Sequence, residues 1–222
     1  MSNSIIIPGI LESQWPEIEK KIELVLPFAK TIHIDLIDGK FAPHTTFMEP
    51  LPFSKYTKNA EFELHMMVEE PINYLKPFAQ AGFRRFIGHV EKMSDQTEFV
   101  AQAQLLGEVG LAIDGPTTID AIEVPFSDLD VILFMTIKAG VSGQQFIPEN
   151  LEKVKKIREK TFIPIEVDGG INDQTILLAK ESGADRFVAT SFIFEGDPKD
   201  QYGQLLRRLT EGGEYVGERK IS

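Results

Sequence analysis

Three of the four histidines in this chain stand beside carboxylates at spacings that can do chemistry. His33-Ile34-Asp35 and Glu166-Val167-Asp168 each put two polar groups at i and i+2, which on a strand share one face. His65 lies in Glu63-Leu64-His65-Met66-Met67, and His89 precedes Glu91 by two residues. Imidazoles with carboxylates suit two tasks: holding a divalent transition metal, and moving protons as general acids and bases. Each piece alone has an ordinary reading. A lone His-x-Asp is common, a strand-end histidine is often a hydrogen-bonded core residue, and Asp168-Gly169-Gly170 is also a turn sequence. His44 is taken as a surface residue. The metal reading requires that His33, Asp35, His65 and Asp168 converge from three separate elements.

The elements that would bring them together alternate. Short apolar runs rich in β-branched residues, at 5–10, 31–37, 61–67, 84–89, 109–113, 130–137, 163–167 and 185–189, recur about every 26 residues, the length of a βα unit with short loops. Helical signals fill the gaps. Pro16 suits a first helical turn, followed by Ile18, Ile22 and Val25 at steps of three and four. Pro71 and Pro148 open later helices in the same way, Leu151, Val154 and Ile157 form another stripe, and Asp197-Pro198 starts the last helix. Asp95 with Glu98, and Thr117 with Asp120, have the spacing of capping pairs.

Strand then helix eight times predicts parallel strands and a closed (β/α)8 TIM barrel spanning the chain as one domain. The near-continuous apolar run at 130–137 fits a strand covered on both faces. An open doubly wound sheet is the alternative, but no Gly-x-Gly-x-x-Gly follows the first strand. A barrel puts its active site at the C-terminal strand ends, where the polar groups above fall. Gly169-Gly170 and Thr190-Ser191, after the seventh and eighth strands, occupy the places where such barrels often hold phosphate on backbone N–H groups. A polar tail from about Thr210, with Gly212-Gly213 and Gly217, is expected to be mobile.

Composition narrows the function. Against 34 Asp and Glu there are 23 Lys and Arg, a net charge of −11, which disfavours a nucleic-acid footprint. The sequence has no run of 18 apolar residues and no charged segment before Ile5-Ile6-Ile7, so neither a membrane span nor a signal peptide is read and a cytoplasmic location is expected. The absence of cysteine removes disulfides, thiolate zinc sites and cysteine nucleophiles, so a metal here must use histidine and carboxylate.

Over roughly residues 5–210 the chain resembles the ribulose-phosphate 3-epimerases. The resemblance rests on Pro8-Gly9-Ile10-Leu11, on His33 through Pro43, on Leu64-His65-Met66-Met67-Val68, on His89-Val90-Glu91, on Met135 through Gln144, on Val167-Asp168-Gly169-Gly170 and on Ser191-Phe192-Ile193-Phe194. It implies one divalent ion per chain (zinc, iron, manganese or cobalt) held by His33, Asp35, His65 and Asp168. It also implies that Asp35 and Asp168 are the two acid/base groups that invert C3 of a phosphorylated ketose through an enediolate, as in the interconversion of ribulose 5-phosphate and xylulose 5-phosphate. Met67 and Met135 would line the reacting centre, or equally serve as core fillers. A homo-oligomer, dimer or hexamer, is implied in the same way.

The departures fall around the substrate rather than among the ligands. The family pattern has Ser at Gly9, Met at Ile37 and commonly Asn at His44; its Asn-Pro-Gly-Phe-Gly-Gly-Gln loop keeps Gly140, Gly143 and Gln144 here but gains Lys138, Ala139, Val141 and Ser142; its Gly-Ser becomes Thr190-Ser191. Gly9, Met67, Met135, Lys138, Gly140, Ser142, Gly143, Gln144, Gly169, Gly170, Thr190 and Ser191 are therefore the expected substrate-binding positions, with Ser142, Thr190 and Lys138 adding donors to a phosphate cradle. Alternatives are an epimerase for a six-carbon ketose such as allulose 6-phosphate, or a non-catalytic relative that binds a sugar phosphate or metal. A phosphosugar decarboxylase is disfavoured, since its Asp-x-Lys-x-x-Asp arrangement needs a Lys that the end of the second strand does not offer.

Overall fold

The structure is a computed structural model that describes residues 4–139 and 144–211. Eight parallel strands close on one another in sequence order: β1 (Ile5–Ile10), β2 (Thr31–Ile37), β3 (Glu61–Met67), β4 (Arg85–His89), β5 (Glu108–Ile113), β6 (Val131–Met135), β7 (Ile165–Asp168) and β8 (Arg186–Ala189). The first three coincide with the apolar runs of the sequence, and the remaining five differ from them by one or two residues at one or both ends. β6 stops short because Thr136 turns across to β7, donating its backbone N–H and its hydroxyl to the Asp168 carbonyl at 2.7 and 3.0 Å. β7 starts late because Pro164 precedes it and carries no amide donor.

Helices α1 (Trp15–Val25), α2 (Ile72–Gln80), α3 (Gln96–Gln104), α4 (Leu151–Arg158), α5 (Thr175–Glu181), α6 (Ser191–Phe194) and α7 (Pro198–Glu211) cover the outside. The stripe Ile18, Ile22 and Val25 buries α1 against the strands, each such side chain contributing roughly 1.5–3 kcal/mol. Asp95 caps α3 by accepting from the Glu98 N–H at 2.9 Å, and Asp197 caps α7 by accepting from Lys199 and Asp200 at 3.0 Å each. Pro71 immediately precedes α2, and Pro148 opens a short 3-10 turn that runs into α4.

The expected eightfold alternation is broken twice. β2 connects to β3 through a 3-10 turn at Leu51–Lys55, and β5 to β6 through 3-10 turns at Ile119–Ala121 and Phe126–Asp128. Pro43, Pro50 and Pro52 in the first connection, and Pro116 and Pro125 in the second, remove donors that a helix would need. The Thr117–Asp120 capping pair does not form; Thr118 precedes the short turn and makes no side-chain cap. At the other end α7 runs through Glu211, and the expected mobile tail beyond it lies outside the described residues.

Two cores result. The larger lies between strands and helices; a smaller one fills part of the lumen with Ile37, Met67, Ile87, Ala112, Val131, Leu133, Met135, Ile137 and Ala139. The rest of the lumen is charged.

Candidate metal centre

Register decides which side chains meet. β2 and β3 pair as His33↔Glu63, Asp35↔His65 and Ile37↔Met67, and β6 and β7 as Leu133↔Glu166 and Met135↔Asp168. Alternate residues of each strand face inward together. His65 Nδ1 lies 2.9 Å from Asp35 Oδ1 and 3.3 Å from Asp168 Oδ2, while His33 Nε2 lies 3.3 Å from Asp35 Oδ1 and 3.9 Å from Asp168 Oδ2. His33, Asp35, His65 and Asp168 are all buried, and one ligand atom of each falls within 4.8 Å of the others. The structure thus brings together the four residues that the sequence singled out.

The second nitrogen of each imidazole is committed elsewhere, and this sets what the first can offer. His33 Nδ1 lies 2.8 Å from Glu63 Oε1; a carboxylate only accepts, so Nδ1 carries a hydrogen and, once the ring is neutral, the lone pair is on Nε2. That Nε2 is buried with no hydrogen-bond partner. Glu91 Oε2 lies 2.9 Å from His89 Nδ1, so His89 donates there and accepts at Nε2. His65 Nε2, 2.9 Å from His89 Nε2, must then be the donor, so that loss of the Nδ1 proton, which is hydrogen-bonded to Asp35 in the metal-free protein, would turn a lone pair toward Asp35 and Asp168. Two nitrogen lone pairs and two carboxylate oxygens fit a four-coordinate divalent transition ion. Glu63 and the His89–Glu91 chain supply the outer hydrogen bonds that such ligands need.

The site is built so that its two aspartates ionise differently. Burial opposes the charge on Asp35, but hydrogen bonds and attraction from His33 and His65 outweigh it, and the carboxyl falls below the usual range. Asp168 is raised, by burial and by the negative charge of Asp35, against the pull of His65 and His33. Burial also disfavours charge on His33 and His65. Asp35, then Glu166 and Glu63, reverses this for His33, and Asp168, then Asp35, for His65, so both are raised in the protein alone, His33 strongly. His89 is lowered by burial and stays neutral. Threonine hydroxyls fix the backbone of both aspartates. Thr46 donates to the Asp35 carbonyl at 2.9 Å, and Thr136 donates to those of Asp168 and Gly169 at 3.0 and 2.5 Å.

Beneath this level lies a charged set the sequence reading missed. Arg186 binds Glu166 and Glu63, and Arg85 donates to Glu63 at 2.8 Å. The signal was available: Arg85 stands two residues before inward-facing Ile87, and Arg186 two before inward-facing Val188, on the face that carries buried acids in need of counter-charge.

The expected substrate positions fall in two groups. Met67 and Met135 belong to the apolar wall of the lumen, with Phe41 and Leu11 packed at its edge. Gln144, Gly170 and Ser191 line a groove of about 450 Å³ together with Phe146, Asn172 and Thr175. Gly169 and Gly170 have φ of 113° and 67°, conformations open to glycine, and a Cβ on Gly169 would lie 2.3 Å from Ile137 Cγ1. Lys138 is exposed and its carbonyl accepts from Gln144 Nε2 at 2.8 Å. Gly9 pairs with His33 on the lumen side, and Thr190 precedes α6. Gly140, Ser142 and Gly143 lie outside the described residues. His44 is half-buried beside the Asp38–Thr45 bridge.

Among the described residues no helix is long and apolar enough to cross a membrane. Solved structures share the fold: 3-keto-L-gulonate-6-phosphate decarboxylase from Vibrio cholerae superposes with a TM-score of 0.72 at 13% identity over 95% of this chain and 99% of its own. Thiamine phosphate pyrophosphorylase from Pyrococcus furiosus gives 0.60 at 15% identity over 95% and 96%. At such identities the likeness is one of architecture. Sequence relatives are nearer. Ribulose-phosphate 3-epimerase from Schizosaccharomyces pombe is 33% identical over 93% of this chain and 94% of its own, and the cytoplasmic isoform from Oryza sativa subsp. japonica is 32% identical over 94% and 95%. The model of the ribulose-phosphate 3-epimerase family matches residues 5–194, which span every strand and all four residues of the buried cluster. The chain belongs to that family and is a sugar-phosphate epimerase.

Proposed function

We propose that this epimerase inverts C3 of a phosphorylated ketose of the ribulose 5-phosphate/xylulose 5-phosphate type, with Asp35 and Asp168 exchanging the proton on opposite faces of an enediolate. The observation that carries this reading is the meeting of two buried carboxyls from non-adjacent strands at His65 Nδ1, Asp35 at 2.9 Å and Asp168 at 3.3 Å. His33 and His65 pull Asp35 toward the charged form, while burial and the charge of Asp35 push Asp168 the other way, so the two differ in the sense that a base and an acid require. Asp35 accepts the C3 proton and Asp168 returns one to the other face; in the reverse direction their roles exchange. Each such transfer is typically worth ~10²–10⁴-fold.

His33, Asp35, His65 and Asp168 would hold a divalent ion, whose part is to supply positive charge where the negative charge of the enediolate develops. The apolar wall of Met67, Met135 and Phe41 keeps water from the reacting carbon. Lys138, Gln144, Gly169, Gly170 and Ser191 are assigned to the phosphate end of the substrate, Lys138 as a point charge.

Exchange of solvent deuterium into C3, measured by NMR on a panel of five- and six-carbon ketose phosphates, tests the reading. The five-carbon pair should exchange fastest. Absence of exchange in every member of the panel would identify a binding protein rather than a catalyst of this reaction, and preference for a six-carbon member would move the substrate.

A further inference from the structure

Gly9 and Thr190 meet at the mouth of the barrel. β1 and β8 pair as Ile7↔Val188 and Pro8↔Ala189, so the next step along both strands brings Gly9 beside Thr190; on its other side Gly9 pairs with His33. Ile6 and Ile10 belong to the outer core, as do Phe187 and Ala189, so Gly9 and Thr190 lie on the inward faces of their strands. A Cβ built on Gly9 would lie 2.3 Å from Thr190 Oγ1 and 2.9 Å from Val188 Cγ1. The Thr190 hydroxyl therefore occupies the space that a side chain at position 9 would fill. The hydroxyl on the β8 side thus covers the β1 position that pairs with His33.

This hydroxyl has no structural employment. It does not cap α6, and among the described residues it has no hydrogen-bond partner. Thr190 is half-buried, at a level where the neighbouring inward side chain on the far side of Gly9 is His33 with its free Nε2. A hydroxyl held over bare backbone, facing the cluster and unsatisfied by protein, is placed to meet a polar group of a bound small molecule.

We propose that Thr190 reaches through the gap left by Gly9 to hydrogen-bond an oxygen of the ketose carbon chain, making Gly9 and Thr190 a coupled specificity pair. This rests on the epimerase reading above. The hydroxyl lies over the Gly9 backbone, and Thr190 does not line the groove of Gln144, Gly170 and Ser191, so its partner is a sugar oxygen and not the phosphate.

Four variants test it: Thr190→Val, which keeps the branched shape without the hydroxyl, Gly9→Ser, Thr190→Gly, and the double variant Gly9→Ser/Thr190→Gly. Thr190→Val should raise KM for the ketose phosphate roughly three- to tenfold, the range of one neutral hydrogen bond, with kcat, metal content and inhibition by inorganic phosphate unchanged. Gly9→Ser should lower the melting temperature through the clash. The double variant should recover both melting temperature and KM, because it exchanges which strand carries the hydroxyl, so the two single effects will not add. An unchanged KM in Thr190→Val, a matching loss of phosphate inhibition, or wild-type melting in Gly9→Ser would each overturn the proposal. A wild-type protein that exchanges deuterium into no ketose phosphate would defeat the epimerase reading itself, and the contact with it. An active wild type with an indifferent Thr190→Val defeats the contact alone.

Discussion

Asp35 and Asp168 share one imidazole nitrogen, His65 Nδ1, at 2.9 and 3.3 Å, although they stand on strands that are not neighbours in the sheet. The geometry couples them: each feels the same ring, and each feels the charge of the other. Replacing either by Asn keeps shape and volume but removes the ability to take up a proton near neutral pH. Asp35→Asn and Asp168→Asn should each retain a folded barrel by circular dichroism and lose ~10²–10⁴-fold in solvent exchange at C3. A variant keeping more than about a tenth of wild-type exchange would remove that residue from the proton transfer.

Metal uptake should be proton-linked. In the protein alone His33 and His65 have raised pKa values, so they hold protons to higher pH than an ordinary imidazole, and a bound cation must displace those protons. The raised values also stabilise the metal-free fold. That contribution is fully present below the unfolded histidine value of about 6.5 and is lost as pH rises through the folded values. A metal-loaded site, which needs neutral rings, has the opposite preference. The increase in melting temperature of zinc-loaded over chelator-treated protein should therefore grow from pH 6 to pH 8. An increment that is flat or shrinks over that range would mean these rings do not ligate the ion.

The tautomer of His65 is set from outside the four-residue cluster. Glu91 fixes His89, and His89 Nε2 accepts from His65 Nε2 at 2.9 Å. His89→Phe preserves a buried ring but withdraws that acceptor, leaving His65 free to place its hydrogen on the nitrogen that faces the aspartates. Metal affinity, measured by competition with a chromophoric chelator, should fall roughly 10–100-fold, the usual cost of losing an outer-shell partner. Unaltered affinity would show that the cluster orients His65 without His89.

What could be read from the chain, and what could not, divides along physical lines. β2 and β3 were legible end to end because strands buried on both faces carry apolar runs, interrupted after their first residues, Thr31 and Glu61, only by the inward-facing polar residues His33, Asp35, Glu63 and His65. The i, i+2 rule then sufficed to place those side chains in one lumen. The connections after β2 and β5 were not legible as non-helical, because capping spacings such as Thr117–Asp120 carry no information about whether a helix follows. The pair Gly9 and Thr190 was visible only as two separate departures from the pattern the chain resembles, Ser replaced by Gly and Gly by Thr. Since strands β1 and β8 are distant in sequence, only the closed barrel reveals that one change makes room for the other.

Arg186 was missed for a related reason, and its role leads to the last expectation. Its guanidinium lies among Glu166, 2.6 Å away, and Glu63, both fully buried, and Glu63 in turn receives His33 Nδ1 at 2.8 Å. Glu63 is held well below the usual carboxylate range against its own burial, chiefly by Arg186 and His33. Arg186→Met keeps a long apolar stem but leaves buried acids facing one another, with Arg85 the remaining cation on Glu63. Breaking a buried pair in this way typically costs about 3–5 kcal/mol, which at roughly 2–4 °C per kcal/mol for a chain of this size lowers the melting temperature by roughly 6–20 °C. The damage should also reach the metal, since a Glu63 that takes up a proton no longer fixes the His33 tautomer. Arg186→Met/Glu63→Gln/Glu166→Gln, which removes the uncompensated charges together, should recover much of the melting temperature but not the metal affinity, because the amide introduced by Glu63→Gln can present its N–H₂ to His33 in place of a carboxylate. Recovery of both would mean that charge balance alone, and not the hydrogen bond from His33 to Glu63, governs the ligand set.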